Sequence, residues 1–253
     1  MNRIGMGQVL KNAFGVLFRN FGIALLIAVI LGGVGWAIAD RAGALAVELG
    51  NPTTGQQRLV YSQITQTIVL TIWGCIVGAW AAPTTLYLWV QHEKGKATSL
   101  YEAVNYGLNR FARVLPAHAR AVFIIQLGII VIVPGILFGL QYAFVDAIAT
   151  LDTQEKDPLA RSRKLTAGRR GTLFRTFAVF LLWWAPTQLG GFLALQEMGW
   201  WAVALAGIVD ALVLILIDLC MVQYYLDLFR KPASSTAAAA PAPSDSVPVA
   251  TPT

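Results

Sequence analysis

Apolar residues in this chain run in long blocks separated by short charged connections, and a helix needs about 20 such residues to cross a bilayer core of roughly 30 Å. That criterion predicts membrane spans over 20–38, 64–90, 173–195 and 201–226. A further apolar region, 119–151, is interrupted at Pro134-Gly135 and reads either as one long helix or as two short arms, 119–133 and 135–151. Three amphipathic stretches precede the pairs of spans. Residues 4–19 carry Val9, Leu10, Phe14, Leu17 and Phe18 beside Lys11 and Arg19. In the second stretch, Ser99 and Glu102 form the S-x-x-E pattern of a capping box, and Leu100, Val104, Leu108 and Phe111 share one face at helical spacing. In the third, Asp157 is placed to cap a helix whose first residue is Pro158, where a missing N–H costs nothing. Such helices are expected to lie in the headgroup plane.

Composition narrows the class. Of 253 residues, 57% are hydrophobic and 13% charged, about half the roughly 25% charge of a soluble domain. Mean hydropathy is +0.62. These values exclude an ordinary soluble enzyme, a nucleic-acid reader and a disordered regulator, and they leave the net charge of +6 to be explained by membrane topology.

Lys and Arg gather on the cytoplasmic side of membrane proteins, so the competing topologies can be scored by their distribution. If 119–151 crosses once, the split is 8 inside against 11 outside; if it enters and returns, the split becomes 17 against 2. The expectation is therefore an all-α polytopic bundle of six membrane segments, a single domain over 1–231 with both termini cytoplasmic. It contains a hairpin turning at Pro134-Gly135 and carries interfacial helices on the cytoplasmic face. A bacterial inner membrane is the expected location. Ala37-Ile38-Ala39 mimics a signal-peptidase site, but the long amphipathic leader and the spans that follow favour a retained first span. Residues 232–253, rich in Ala, Pro, Ser and Thr, cannot bury enough apolar surface to offset chain entropy and are expected to form a disordered cytoplasmic tail. Asn51-Pro52-Thr53-Thr54-Gly55 reads as an external turn.

The stretch Val133-Pro134-Gly135-Ile136, the acidic patch 152–157 and the run Leu159-Ala160-Arg161-Ser162-Arg163-Lys164-Leu165-Thr166-Ala167-Gly168-Arg169-Arg170 form a recognisable pattern. Together with the ending Tyr224-Tyr225-Leu226-Asp227-Leu228-Phe229-Arg230, they resemble a family of bacterial polytopic inner-membrane proteins related to the membrane domain of glycerophosphoryl diester phosphodiesterases. Leu159-Ala160 stands in reverse of that family's usual order, and one residue is inserted in the terminal run. The resemblance covers about residues 95–231 and implies six spans. It implies little about activity, because that family is mostly uncharacterised and no attached phosphodiesterase catalytic domain is expected.

Candidate chemistry is sparse. Asp210 and Asp218 fall inside the last apolar block with no Lys or Arg in the same segment. A carboxylate near the bilayer centre costs about 2.5–3.5 kcal/mol on insertion scales. They read as a proton- or cation-coupling pair, or as groups hydrogen-bonded to Gln126, Gln141 or Gln188 for packing alone. Arg161, Arg163, Lys164, Arg169 and Arg170 are candidate contacts for anionic lipid headgroups, with orientation of the chain as their simpler role. Ser162 and Thr166 read as helix-surface hydroxyls or phosphate donors. Pro134 and Gly135 mark a helix break that frees backbone carbonyls. Gly74 with Gly78, and Gly135 with Gly139, are G-x-x-x-G pairs suited to close helix packing. Trp36, Trp89, Trp200 and Trp201 are expected as interfacial anchors, whereas Trp183 and Trp184 lie deeper. Cys75 and Cys220 read as packing residues.

His92 and His118 are expected in cytoplasmic connections without a metal-ligand pattern, and no catalytic signature is present. No enzyme activity, metal or cofactor is expected. The leading expectation is a scaffold or accessory protein engaging the bilayer's anionic phospholipid headgroups, a membrane-protein partner or a second copy of itself, with no nucleic acid involved. The alternative is a small transporter or permease component coupled through Asp210 and Asp218.

Overall fold

The computed structural model describes residues 5–129, 131, 133–186 and 199–229. The predicted tail, the 187–195 part of the fifth span, the 196–198 connection, Gln188, and the side chains of Trp183, Trp184 and Trp200 lie outside the described residues. Among the described residues all regular structure is helical. Four helices are long and apolar enough to cross a membrane, Phe21–Gly50, Gly55–Glu93, Val133–Leu151 and Trp201–Asp227, as a membrane protein requires.

Helix α1 (Met6–Arg19) ends at Asn20, whose amide Nδ2 donates to the Val16 carbonyl at 2.9 Å and closes the turn. Helix α2 (Phe21–Ala28) passes through a π-helical turn, Val29–Val34, into α3 (Gly35–Gly50). A π turn disturbs the regular hydrogen-bond ladder. Here the Trp73 indole supplies a donor, its Nε1 lying 3.1 Å from the carbonyls of both Ile30 and Leu31. Asn51 then takes a left-handed φ of 44°, which its side chain tolerates, and stops α3.

Helix α4 (Gly55–Glu93) starts on a capping box between Thr54 and Gln57. Ile64, Ile68, Ile72 and Ile76 recur every fourth residue along it, and all four are about half exposed. Water would penalise such a stripe, whereas lipid would not. Helix α5 (Leu100–Ile129) opens on the expected box: the Glu102 amide donates to Ser99 Oγ at 3.2 Å and the Ser99 amide to Glu102 at 3.4 Å.

The predicted interfacial stretch and the arm that follows it form this one continuous helix. It buries small residues, Ala103, Gly107, Val114, Ala117 and Ala121, and leaves Leu100 and Leu108 exposed. Small residues let helix backbones approach in lipid, while leucine can face the tails.

Chain reversal after α5 occurs around residue 131, ahead of Pro134-Gly135. Pro134 instead lies in the first turn of α6 (Val133–Tyr142), where its missing N–H needs no partner, and Gly135 is packed against Gly128. The 133–151 arm is itself divided, since α7 (Val145–Leu151) begins after a two-residue break. Helix α8 (Pro158–Thr166) is capped as expected, the Ala160 amide donating to Asp157 Oδ1 at 3.0 Å. Helices α9 (Arg170–Pro186) and α10 (Trp200–Phe229) follow.

The core gathers around α10, which packs against α1, α2, the π turn, α3, α4 and α9. It meets the π turn glycine to glycine, Gly207 lying on Gly32. The two anticipated G-x-x-x-G pairs do not act as pairs: a Cβ at Gly74 or Gly139 would meet nothing within 4 Å. The tryptophan expectation is corrected too. Trp89 is 2% exposed and belongs to the core, and Trp36 packs on Gly207 midway along its span, while Trp201 is exposed at the start of α10.

Candidate functional site

Two ionisable side chains from two helices meet within the packed helices, and a third stands near them. His118 on α5 places Nδ1 at 3.0 and 2.9 Å from the two carboxylate oxygens of Asp146 on α7. Asp218 on α10 lies close enough for its charge to act on both. The fourth wall is α4, where Gly78 supplies a slot: a Cβ there would sit 2.5 Å from His118 Nε2. The Gly74 backbone also hydrogen-bonds the ring. His118 and Asp146 side chains are 15% and 32% exposed, so neither is fully hydrated.

Antiparallel pairing of α5 with α6 and α7 creates this meeting. Gly128 meets Gly135 near the reversal, His118 meets Asp146 further along, and beyond them Arg113 donates to the Asp152 carbonyl. His118 is therefore a half-buried member of an imidazole–carboxylate pair within α5 rather than a residue of a connection between helices. The signal available in sequence was symmetry, since His118 and Asp146 lie equally far from residue 132.

Asp146 follows immediately on the break between α6 and α7, and α8 repairs that break. Ser162 Oγ donates to the Gln141 carbonyl at 2.8 Å and accepts from the Phe144 amide at 3.2 Å. Thr166 Oγ1 shares its one proton between the same carbonyl, at 3.4 Å, and the Arg163 carbonyl, at 3.3 Å. A helix backbone interrupted away from water must find substitute partners, and these two hydroxyls supply them. Both residues are fully buried, so they are neither surface hydroxyls nor phosphate donors. Gln141 thus enters the arrangement through its carbonyl.

Asp210 is half-buried on α10, two turns before Asp218 and about 12 Å away along the axis at 1.5 Å per residue. Of the basic run, Arg163 and Lys164 are exposed, whereas Arg169 and Arg170 are half-buried. The Arg161 Nε stands 3.8 Å from Glu155. Cys220 is buried and Cys75 half-buried, and both are free thiols, in keeping with packing roles.

Loss of the Ser162 hydroxyl should leave a buried amide and a carbonyl short of partners, a cost of about 1–3 kcal/mol. Thermal unfolding of purified Ser162→Ala should show it, with Arg163→Ala, one residue on and exposed, near wild type. Equal midpoints for the two variants would show that α8 does not brace the break.

Comparison with protein-family models, with curated proteins and with solved structures finds no match. Fold and pair define the class that can be stated: a chain helical throughout its described residues, with four candidate membrane-spanning helices and a partly dehydrated His118–Asp146 pair near Asp218.

Proposed function

We propose that this chain is a small transport component of the bacterial inner membrane, moving a proton or small cation through the His118, Asp146 and Asp218 cluster. The observation that carries the proposal is the coincidence of that cluster with the helix break directly before Asp146. Ionisable groups within membrane bundles are costly and gather along ion and proton paths. Broken helices in transporters flank such sites. A structural role alone could be served at lower cost by apolar side chains, because desolvating charges offsets much of their mutual attraction.

Six segments, with 119–129 and 133–151 as an inserted hairpin, suit the 17-against-2 distribution of basic residues and place both termini in the cytoplasm. Residues 95–231 are read as a membrane domain of the phosphodiesterase-related kind. The role of Asp218 in coupling is retained, but its partners are His118 and Asp146. Asp210 stands as a second carboxylate further along the same helix.

A proteoliposome assay tests the proposal. With a pH dye trapped inside and a potassium diffusion potential applied, wild type should carry proton flux that Asp146→Asn and Asp218→Asn reduce roughly tenfold or more, a loss equivalent to about 1.4 kcal/mol. Sodium and potassium gradients applied separately distinguish a cation from a proton. Flux through both variants equal to wild type would sink the coupling role.

A second reading, an accessory protein held on anionic lipid, is favoured by the exposure of Arg163 and Lys164 on α8. Neutralising both should then weaken association with anionic phospholipid without changing flux.

A further inference from the structure

A cleft of about 360 Å³ opens between α5, the end of α7 and the segment entering α8. This lies within the usual size range of small-ligand sites, roughly 300–1,000 Å³. Its charged walls are Arg113, Arg120, Lys156, Glu155 and Asp157, and its remaining lining includes Ala117 and Ala149.

The five charges leave an excess of one positive charge, and Arg161, outside the lining, offsets part of one carboxylate. Glu155 accepts the Asp157 amide at 3.1 Å and stands 3.8 Å from Arg161. Asp157 caps α8 through the Ala160 amide at 3.0 Å. Arg113 is spent on a neutral group, the Asp152 carbonyl, so its charge has no opposite. Arg120 and Lys156 form no ion pair or hydrogen bond among the described residues. Three cations thus converge on one concave site that also holds two carboxylates, and the balance is positive. Guanidinium groups recognise phosphate oxygens in pairs and an ammonium adds a point charge.

We infer that this cleft binds a phosphate group, carried either by an anionic lipid headgroup or by a soluble phosphate. The site is separate from the exposed pair Arg163 and Lys164, and it does not depend on the coupling reading. It borders the cluster, since Ala117 precedes His118 and Ala149 is one turn beyond Asp146. A bound phosphate would therefore add negative charge beside the His118–Asp146 pair.

Binding of the full-length protein tests this at matched ionic strength, because salt screens diffuse surface attraction. One arm titrates inorganic phosphate against the protein in uncharged detergent. The other compares nanodiscs of phosphatidic acid in phosphatidylcholine with nanodiscs of phosphatidylcholine alone, following thermal stabilisation. The double variant Arg120→Gln with Lys156→Gln, whose side chains are exposed enough not to endanger folding, should weaken binding roughly tenfold or more. Arg163→Gln with Lys164→Gln should bind as wild type. Response to inorganic phosphate identifies a soluble ligand, and response to phosphatidic acid alone identifies a headgroup; either supports the site. No response in both arms, or a response lost only in the Arg163 and Lys164 variant, overturns it.

Discussion

Gly32→Ala should lower the stability of the purified protein by about 3 kcal/mol or more, the upper end of what an added methyl group does in a packed core. A Cβ on Gly32 would overlap the Gly207 carbonyl group and approach Ala211 Cβ to 3.0 Å. The obstacle is backbone, which cannot rotate aside as a side chain can, so the π turn and α10 would have to separate. Separation would also disturb Trp36, which packs on Gly207 from the same face. Gly74→Ala is the informative comparison. A Cβ there meets nothing within 4 Å, so the gain in helix propensity of about 1 kcal/mol is unopposed. Unfolding in detergent should separate the two variants widely, and similar midpoints would mean that Gly32 and Gly207 do not touch.

His118→Ala and Asp146→Asn should each cost about 2 kcal/mol, less than the 3–5 kcal/mol of a fully buried pair because water reaches part of both side chains. His118→Ala also empties the slot beside Gly78, so its cost includes a cavity contribution that Asp146→Asn lacks. A double-mutant cycle isolates the pairwise part. Residues in direct contact couple by about 0.5–3 kcal/mol, and His118 with Asp146 should fall in that range. Additive single losses would show that the imidazole and the carboxylate do not interact. Asp218→Asn acts on the same cluster from α10 and should therefore be non-additive with His118→Ala as well.

Local devices were legible in the sequence because they depend on residues three or four apart. The Ser99–Glu102 box and the Asp157 cap before Pro158 both form as read. Three of the four long apolar helices, Phe21–Gly50, Gly55–Glu93 and Trp201–Asp227, were legible for the same reason, since apolar length is a property of a contiguous run, whereas the fourth, Val133–Leu151, was read only as a short arm of the hairpin. The extent of the helices was less so. Continuity of 100–129 overrode the separate interfacial helix because nothing between Arg113 and Ala121 stops a helix except Pro116, which this helix accommodates. Chain reversal fell ahead of Pro134 because proline is tolerated in a helix's first turn.

Pairing across the bundle was hidden, as the handling of glycine shows. Gly74-x-x-x-Gly78 has the spacing of a helix-packing motif, yet Gly78 houses an imidazole, while the glycine contact that joins two helices is formed by Gly32 and Gly207, 175 positions apart. Ser162 looked like a surface hydroxyl until α8 was seen to lie on the broken arm. By itself, the sequence determined that the chain is helical, apolar enough for a membrane, and capped at named positions, because hydropathy and capping are local free energies. Only the tertiary structure decided that His118 and Asp146 pair, with Asp218 near enough for its charge to act on them. A side chain's charge is written in the sequence, but its neighbours and its contact with water are set by which helices pack together.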